Sequence, residues 1–275
     1  MGKRIQDSAD PVVVGEADEL MCPATRRDFV RMMGMGGVVV MLPGVFAGCA
    51  TVPGMQTAAM DGGLTFDLRT DVGIFRLLHT LEQLEAAFYS AVVANGGFTT
   101  FFTTAERELF VDLRNVEIVH REFLRTALGS QAVPDVTGSI NPATLGAILS
   151  TRENTLGAAR LFEHLGLSGL NGAGKYLQDP RNLLFAGKAV SVEARHAAAL
   201  RDISPPTGQD ANTAFAGDDI VDGNGMDVKL EAGAVLDRVA ATNLVRNGTI
   251  SARNISHGPT PAQGRPSADF FPTTP

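Results

Sequence analysis

The sequence predicts an all-α fold: an antiparallel four-helix bundle followed by a largely irregular C-terminal extension. Four amphipathic stretches carry apolar residues at steps of three and four, the period of a helix with one buried face. Helix-capping residues bound these stretches, and short connections within each of two pairs favour antiparallel neighbours. A chain of 275 residues with 44% hydrophobic residues is long enough for one such domain with appendages.

The N-terminal segment predicts export. Residues 25–31 read TRRDFVR and resemble the twin-arginine consensus, and the stretch from Met32 to Gly48 carries no charge. We interpret residues 1–48 as a signal peptide that is read by the twin-arginine translocation machinery. An uncleaved membrane anchor is the weaker alternative, because the stretch is shorter than the ~20 apolar residues of a spanning helix and Pro43 interrupts it.

Cys49 is a candidate lipidation site. Residues 46–49 read FAGC, which resembles a lipobox with phenylalanine in place of the usual leucine. Lipidation would attach the mature protein to the membrane; cleavage after Ala50 by the ordinary signal peptidase is the alternative. Both routes place the protein in the periplasm or cell envelope. The only other cysteine, Cys22, lies in the predicted signal peptide, so no disulfide is expected in the mature protein.

The predicted domain begins after a tether. Residues 49–68 are mostly small or polar and contain several glycines, which is typical of a flexible connection. The bundle is expected over residues 69–204. Its first helix is predicted from about Asp71 to Ala94, before an Asn-Gly-Gly sequence that ends helices.

The second and third helices have clear start signals. Thr103 precedes Glu106 by three residues, the spacing of a capping box, and the second helix is expected to end at Gly129. The third is predicted to begin at Asn141, because proline follows that N-cap residue. The sequence does not fix where the third helix ends, because four glycines follow and each costs about 1 kcal/mol relative to alanine inside a helix. These glycines are Gly166, Gly169, Gly172 and Gly174.

The fourth helix is predicted to begin after Asp179 and to end before Pro205. Residues 205–275 are rich in Gly, Asp, Asn, Thr and Pro, and they predict an extension that wraps the bundle or stays partly disordered, with one short helix over about residues 230–245. A DGNG sequence at residues 222–225 resembles a calcium loop. A turn is the better interpretation, because methionine follows where an oxygen ligand is needed.

Each predicted helix carries a carboxylate on its apolar face. Two of the helices carry a Glu-x-x-His pair, whose members share one face because they lie three residues apart. Buried glutamate is rare unless it is paired or binds metal. The residues concerned are Glu82, Glu117, His120, Glu163, Glu193 and His196.

This pattern predicts a metal centre. One Glu from each of two helices and a Glu-x-x-His from each of the other two is the ligand arrangement of di-iron and di-manganese bundles. Four carboxylates balance the charge of two divalent ions, and the oxygen-rich donor set suits iron or manganese. We therefore expect two Fe or Mn ions as cofactors. The net charge of -7 and the lack of basic patches argue against nucleic acid as a partner.

At this point the chain resembles the ferritin-like superfamily, in particular its branch related to plant desiccation-associated proteins. The resemblance covers about residues 71–203. It implies that the six residues above are metal ligands, that Glu117 and Glu193 bridge the two ions, and that the third helix continues through its glycines. It is carried by LEQLEAAFY at residues 81–89, FE at 162–163 and VEARHAAA at 192–199.

Three further residues lie near the predicted site on the first helix. Glu85 lies on the same helix face as Glu82 and competes with it as a ligand; the Glu-to-Tyr spacing of bacterioferritin-like proteins favours Glu82. Tyr89 is predicted either to hydrogen-bond a ligand carboxylate or to serve only as a core residue. His79 lies one turn before Glu82 and could approach the site, but a partly exposed structural histidine is the favoured interpretation.

The function of the metal is left open by the sequence, and no catalytic residue is assigned. One hypothesis is an exported oxidoreductase whose metal pair reacts with oxygen or peroxide. A second is iron binding and storage. A third is a non-enzymatic bundle that protects the cell envelope, as the desiccation-associated resemblance implies. Neither the substrate nor the oligomeric state follows from the residues.

Overall fold

The computed structural model describes residues 64–246 and 249–260. The predicted signal peptide, Cys49 and most of the predicted tether lie outside these residues. Within them, eight α-helices and two short strands are present. These elements are β1 Phe66–Asp67, α1 Asp71–Ala94, α2 Phe98–Phe101, α3 Thr104–Leu128, α4 Pro142–Ile148, α5 Arg152–Gly174, α6 Pro180–Ile203, α7 Ala211–Ala214, α8 Ala232–Ala241 and β2 Ile255–His257.

The four long helices α1, α3, α5 and α6 form the bundle, as predicted. Helix α1 packs along α3, and α5 packs along α6, so two helical hairpins face each other. The N-caps predicted from the sequence are present at the starts of two long helices, α3 and α6. Thr103 and Glu106 form the predicted capping box, and Asp179 accepts from the backbone N–H of Arg181 at 2.8 Å. Among the described residues, no helix is long and apolar enough to cross a membrane.

The predicted start of the third helix was wrong. Asn141 caps only the short helix α4, and the long helix α5 starts ten residues later at a second cap, Thr151, whose hydroxyl accepts from the N–H of Asn154. Thr151 has an extended backbone, with φ of -142°, which breaks the helical path between α4 and α5. Two competing N-cap signals lie close together in the sequence, and the prediction used only the first.

Helix α5 continues through its glycines to Gly174, as the family resemblance implied. One of these glycines is required by the C-terminal extension, whose backbone crosses α5 at Gly172. A Cβ atom at this position would lie only 1.9 Å from the carbonyl oxygen of Leu230, and the Leu230 N–H donates to the Ser168 carbonyl at 2.9 Å. The glycine weakens the helix by itself, but it admits a backbone that packs on the helix.

The C-terminal extension packs against the bundle as far as it is described. Its helix α8 is shorter than predicted, and Val235 and Leu236 on its inner face are buried. Strand β2 pairs in parallel with β1. Phe66 is fully buried, so the end of the predicted tether belongs to the folded domain instead. The DGNG sequence forms a turn, as predicted, in which the Asp222 carboxylate accepts two backbone N–H groups.

The buried apolar residues form two clusters, one toward each end of the bundle. One cluster contains Ile74, Leu77, Leu124, Leu165 and Leu236 among others. The other contains Phe88, Tyr89, Phe110, Leu156 and Leu200 among others. Glu85, Glu117, Glu163 and Glu193 each lie on their helix between positions of the two clusters, and Glu82 lies one turn before Glu85. A polar layer therefore crosses the middle of the bundle.

Candidate metal centre

The structure brings all six residues predicted from the sequence into this polar layer. Each long helix contributes at least one carboxylate, and α3 and α6 each add the histidine one turn further on. Glu117, Glu163 and Glu193 are 0% exposed. The side chains of His120 and His196 are each 12% exposed and are the most accessible members of the layer. The layer is therefore closed to solvent except beside the two imidazoles.

His120 is the centre of one group of side chains. Its Nδ1 atom lies 3.0 Å from Oε1 of Glu193 and 3.5 Å from Oε2 of Glu117. Oε2 of Glu82 lies 3.6 Å from the same nitrogen. These four residues can each offer one ligand atom such that all four atoms lie within 4.8 Å of one another.

His196 is the centre of a second group. Its Nδ1 atom lies 3.0 Å from Oε1 of Glu117 and 3.2 Å from Oε2 of Glu163. With Glu193, these residues again place four potential ligand atoms within 4.8 Å. Glu117 and Glu193 belong to both groups, whereas each of the other four residues belongs to one.

Several polar atoms of the layer form no hydrogen bond, although oppositely charged groups lie close to them. Both carboxylate oxygens of Glu117 and of Glu193 are buried without a hydrogen-bond partner among the described residues, as are Oε2 of Glu82 and Nδ1 of His120. The distances between these atoms and the imidazoles are ion-pair distances without hydrogen-bond geometry, whereas His196 Nδ1 and Glu163 Oε2 do form a hydrogen bond. Leaving such atoms unpaired is costly in a protein interior. Oxygen and nitrogen donors that converge without satisfying one another fit a bound cation.

Burial and mutual charge shift the pKa values of the carboxyl groups apart. Burial raises the pKa of Glu193 to about 8 and also raises those of Glu82 and Glu163. Burial opposes ionisation of Glu117 as well, but the two imidazoles outweigh it and lower its pKa to about 2. Glu117 therefore keeps its negative charge at the centre of the layer.

The same carboxylates act on the imidazoles. Burial alone would lower the pKa of His196, yet Glu117 and Glu163 together raise it to about 10. The pKa of His120 is likewise raised well above its usual value, against burial, by Glu82, Glu117 and Glu193. The layer thus draws positive charge toward its centre, which is the electrostatic condition for holding a metal cation.

Tyr89 hydrogen-bonds one of these carboxylates. Its hydroxyl donates to Oε1 of Glu163 at 2.5 Å, while Oε2 of Glu163 faces His196. Tyr89 is fully buried, and burial followed by the charge of Glu163 raises its pKa well above 10.0. The tyrosine therefore holds the orientation of Glu163 and stays protonated. Of the two roles weighed for Tyr89, the geometry favours the contact with a ligand carboxylate.

Glu85 is buried beside the layer but belongs to neither group of potential ligands. Its carboxylate lies against α5 at Gly166, where a Cβ atom would be 3.0 Å from Oε1 of Glu85 and 3.5 Å from Oε2 of Glu193. Gly166 therefore leaves room for two carboxylates. Sequence reasoning missed this role of Gly166, although its position three residues after Glu163, on the same helix face, was a usable signal.

His79 lies outside the site and is not partly exposed as expected. It is 2% exposed, and its Nδ1 accepts from the backbone N–H of Val133 at 3.3 Å. One turn further along α1, Gln83 accepts from the N–H of Val136 at 2.9 Å. Both side chains tie the segment after α3 to helix α1, so the structural role predicted for His79 is confirmed and its exposure was wrong.

We expect His79 to make the protein less stable in mild acid. Burial lowers its pKa from 6.5 to about 4, with Glu122 opposing and Arg121 among the groups that add to the effect. The unfolded chain takes up the proton first, so the stability that neutral His79 contributes is complete above about pH 6.5 and falls as the pH drops toward 4. Between pH 7 and pH 5 the loss should be about 1–2 kcal/mol.

The variant His79→Asn isolates this contribution. Asparagine keeps an acceptor near the Val133 N–H but cannot be protonated, whereas the metal-site groups are unchanged. Urea unfolding of both proteins at pH 7 and pH 5 should show a smaller acid loss in the variant. An equal loss of unfolding free energy between pH 7 and pH 5 in the two proteins would show that His79 is not the cause of the acid sensitivity.

Comparison with known protein families agrees with this geometry. Residues 70–205 match the family model described as a ferritin-like domain. A comparison with curated proteins gave no match. The matched residues contain all four long helices and every member of both ligand groups. Residues 70–205 are thus similar to a ferritin-like domain and contain a buried carboxylate and histidine cluster that could hold metal.

Proposed function

We propose that this domain binds two iron or manganese ions and that the protein is an exported oxidoreductase acting on oxygen or peroxide. The observation that carries the proposal is the sharing of Glu117 and Glu193 by two ligand groups. Carboxylates in shared positions are suited to bridge two cations. Glu82 and His120 would complete one site, and Glu163 and His196 the other.

Charge and donor chemistry support a pair of divalent ions. The four carboxylates of the two groups carry four negative charges when ionised, which two divalent ions balance in a buried site. Carboxylate oxygens with one imidazole per ion suit iron or manganese better than metals that prefer thiolates. The unpaired oxygens of Glu117 and Glu193 would then gain partners.

The surrounding residues would prepare this site for redox chemistry. The residues of the two ligand groups would hold ions whose chemistry would be to donate electrons to oxygen or peroxide and to polarise the oxidant. Tyr89 orients Glu163 through its hydrogen bond, and the apolar clusters on both sides of the layer exclude water. Small oxidants would enter beside the two imidazoles, where the layer is most exposed.

Oxygen consumption tests the proposal. The protein loaded with two Fe(II) per chain should consume oxygen or peroxide rapidly and continue to turn over when a reductant is added. Growth of a ferric mineral instead of turnover would favour storage. Inertness to both oxidants, with iron and with manganese, would contradict the redox proposal and favour the envelope-protecting bundle that the desiccation-associated resemblance implies.

Glu82 and Glu85 offer a matched pair of variants for this assay. Both are buried glutamates on one face of α1, but only Glu82 belongs to a ligand group. Glu82→Gln should lose most of the oxygen consumption, and Glu85→Gln should keep it. The reverse result would identify Glu85 as the ligand.

Export is proposed on sequence alone, since residues 1–63 lie outside the described part of the chain. Replacing Arg26 and Arg27 by lysine should leave the precursor in the cytoplasm, because the twin-arginine machinery reads the arginine pair. Cys49→Ala should abolish lipid attachment without preventing export. Cell fractionation and membrane extraction measure both. Export of the double-lysine variant would contradict the twin-arginine proposal. Membrane attachment without Cys49 would contradict lipidation at that residue.

A further inference from the structure

The outer side of α6 carries a groove that the metal centre does not use. Helix α6 directs Glu193 into the bundle, and the groove lies on its solvent side, flanked by the short helix α7. Phe215, the residue directly after α7, lies at the rim of the groove and is 56% exposed. The lining residues are Ala194, Arg195, Ala198, Ala199, Asp202 and Phe215.

Two opposite charges line this groove, one on each side of Ala198 and Ala199. Arg195 and Asp202 are seven residues apart, so they lie two turns apart on the same face of α6. Both are exposed, and neither forms an ion pair within the described residues. The Arg195 side chain donates one hydrogen bond of 3.4 Å to the Ser191 hydroxyl. The midpoint between the two charges falls between Ala198 and Ala199.

We propose that this groove binds α6 of a second copy of the chain, antiparallel, about a two-fold axis between Ala198 and Ala199. In a two-fold interface every contact occurs twice. Arg195 of each copy would therefore face Asp202 of the other, which pairs all four charges. Alanine at the axis lets the two helices approach closely, and the exposed ring of Phe215 would be covered.

The charge pattern identifies the occupant as a second copy. One cation and one anion placed symmetrically about the helix midpoint complement the same surface after a two-fold rotation. An anionic lipid surface or an acidic peptide would instead require several cations, and the groove contains one. The arrangement is thus self-complementary.

Light scattering after size exclusion tests the proposal on the full chain with Cys22→Ser and Cys49→Ser, which prevents lipid attachment and unrelated disulfides. The protein should be dimeric at high concentration and dissociate on dilution. Arg195→Asp and Asp202→Arg should each give a monomer, since like charges would meet across the axis. The double variant should restore the dimer. Neither a monomeric starting protein nor a dimer unaffected by the single changes is compatible with the proposed interface.

Disulfide formation gives a second readout. Ala198→Cys in the same background should form an intermolecular disulfide on mild oxidation, because its two copies meet at the axis. Gly187→Cys is the control: Gly187 is exposed on α6, more so than the half-buried Ala198, but lies three turns away, so its two copies should stay separate. Equal crosslinking at both positions would show random collisions and overturn the proposal.

Discussion

Replacing Glu117 by alanine is expected to abolish binding of both metal ions. Glu117 belongs to both ligand groups, is 0% exposed and keeps its charge because the two imidazoles lower its pKa to about 2. Its loss removes a ligand from each ion. It also removes the one carboxylate of the layer that lies within ion-pair distance of both histidines. Elemental analysis of protein folded in iron- or manganese-supplemented cells should therefore fall from about two equivalents to nearly none.

Two further variants make this experiment specific. His196 belongs to one ligand group only, so His196→Ala should reduce the content to about one equivalent. Glu108 lies on the same helix α3 but is exposed, and Glu108→Ala should keep both ions. The predicted bridge is wrong if Glu117→Ala retains two equivalents, and the metal proposal fails if the unaltered protein contains none in either medium.

Replacing Gly172 by alanine is expected to destabilise the protein and to release the extension from α5. The added Cβ atom would lie 1.9 Å from the Leu230 carbonyl oxygen, and backbone on both sides cannot move cheaply. The hydrogen bond from Leu230 to Ser168 would be strained or lost. Overpacking of this kind costs about 1–3 kcal/mol, which urea unfolding should detect.

Gly157 provides the control within the same helix. Nothing lies within 4 Å of a Cβ atom built at this position, so Gly157→Ala should stabilise the protein by about 0.5–1 kcal/mol through helix propensity. The two Gly→Ala substitutions should thus change the free energy of unfolding in opposite directions. Limited proteolysis should cut the extension faster in Gly172→Ala alone. If both variants are stabilised, the extension does not pack on α5 as described.

The helices and the ligand candidates were predictable because their signals are local. Apolar spacing fixes which face of a helix is buried, and capping residues such as Thr103 satisfy backbone groups only a few residues away. A carboxylate on a buried face is visible in the sequence by the same spacing. The start of α5 was missed because two local caps, Asn141 and Thr151, compete, and local chemistry cannot rank them.

The sequence by itself determined the four-helix class and the six residues that converge in the bundle, since helical periodicity and the cost of buried charge constrain both. Only the tertiary structure decided which residues share space across helices. It placed Glu82, but not Glu85, in a group of potential ligands, paired Tyr89 with Glu163, and gave Gly166 and Gly172 their roles. These are contacts between residues far apart in the chain, and close packing sets such distances only when all helices are in place.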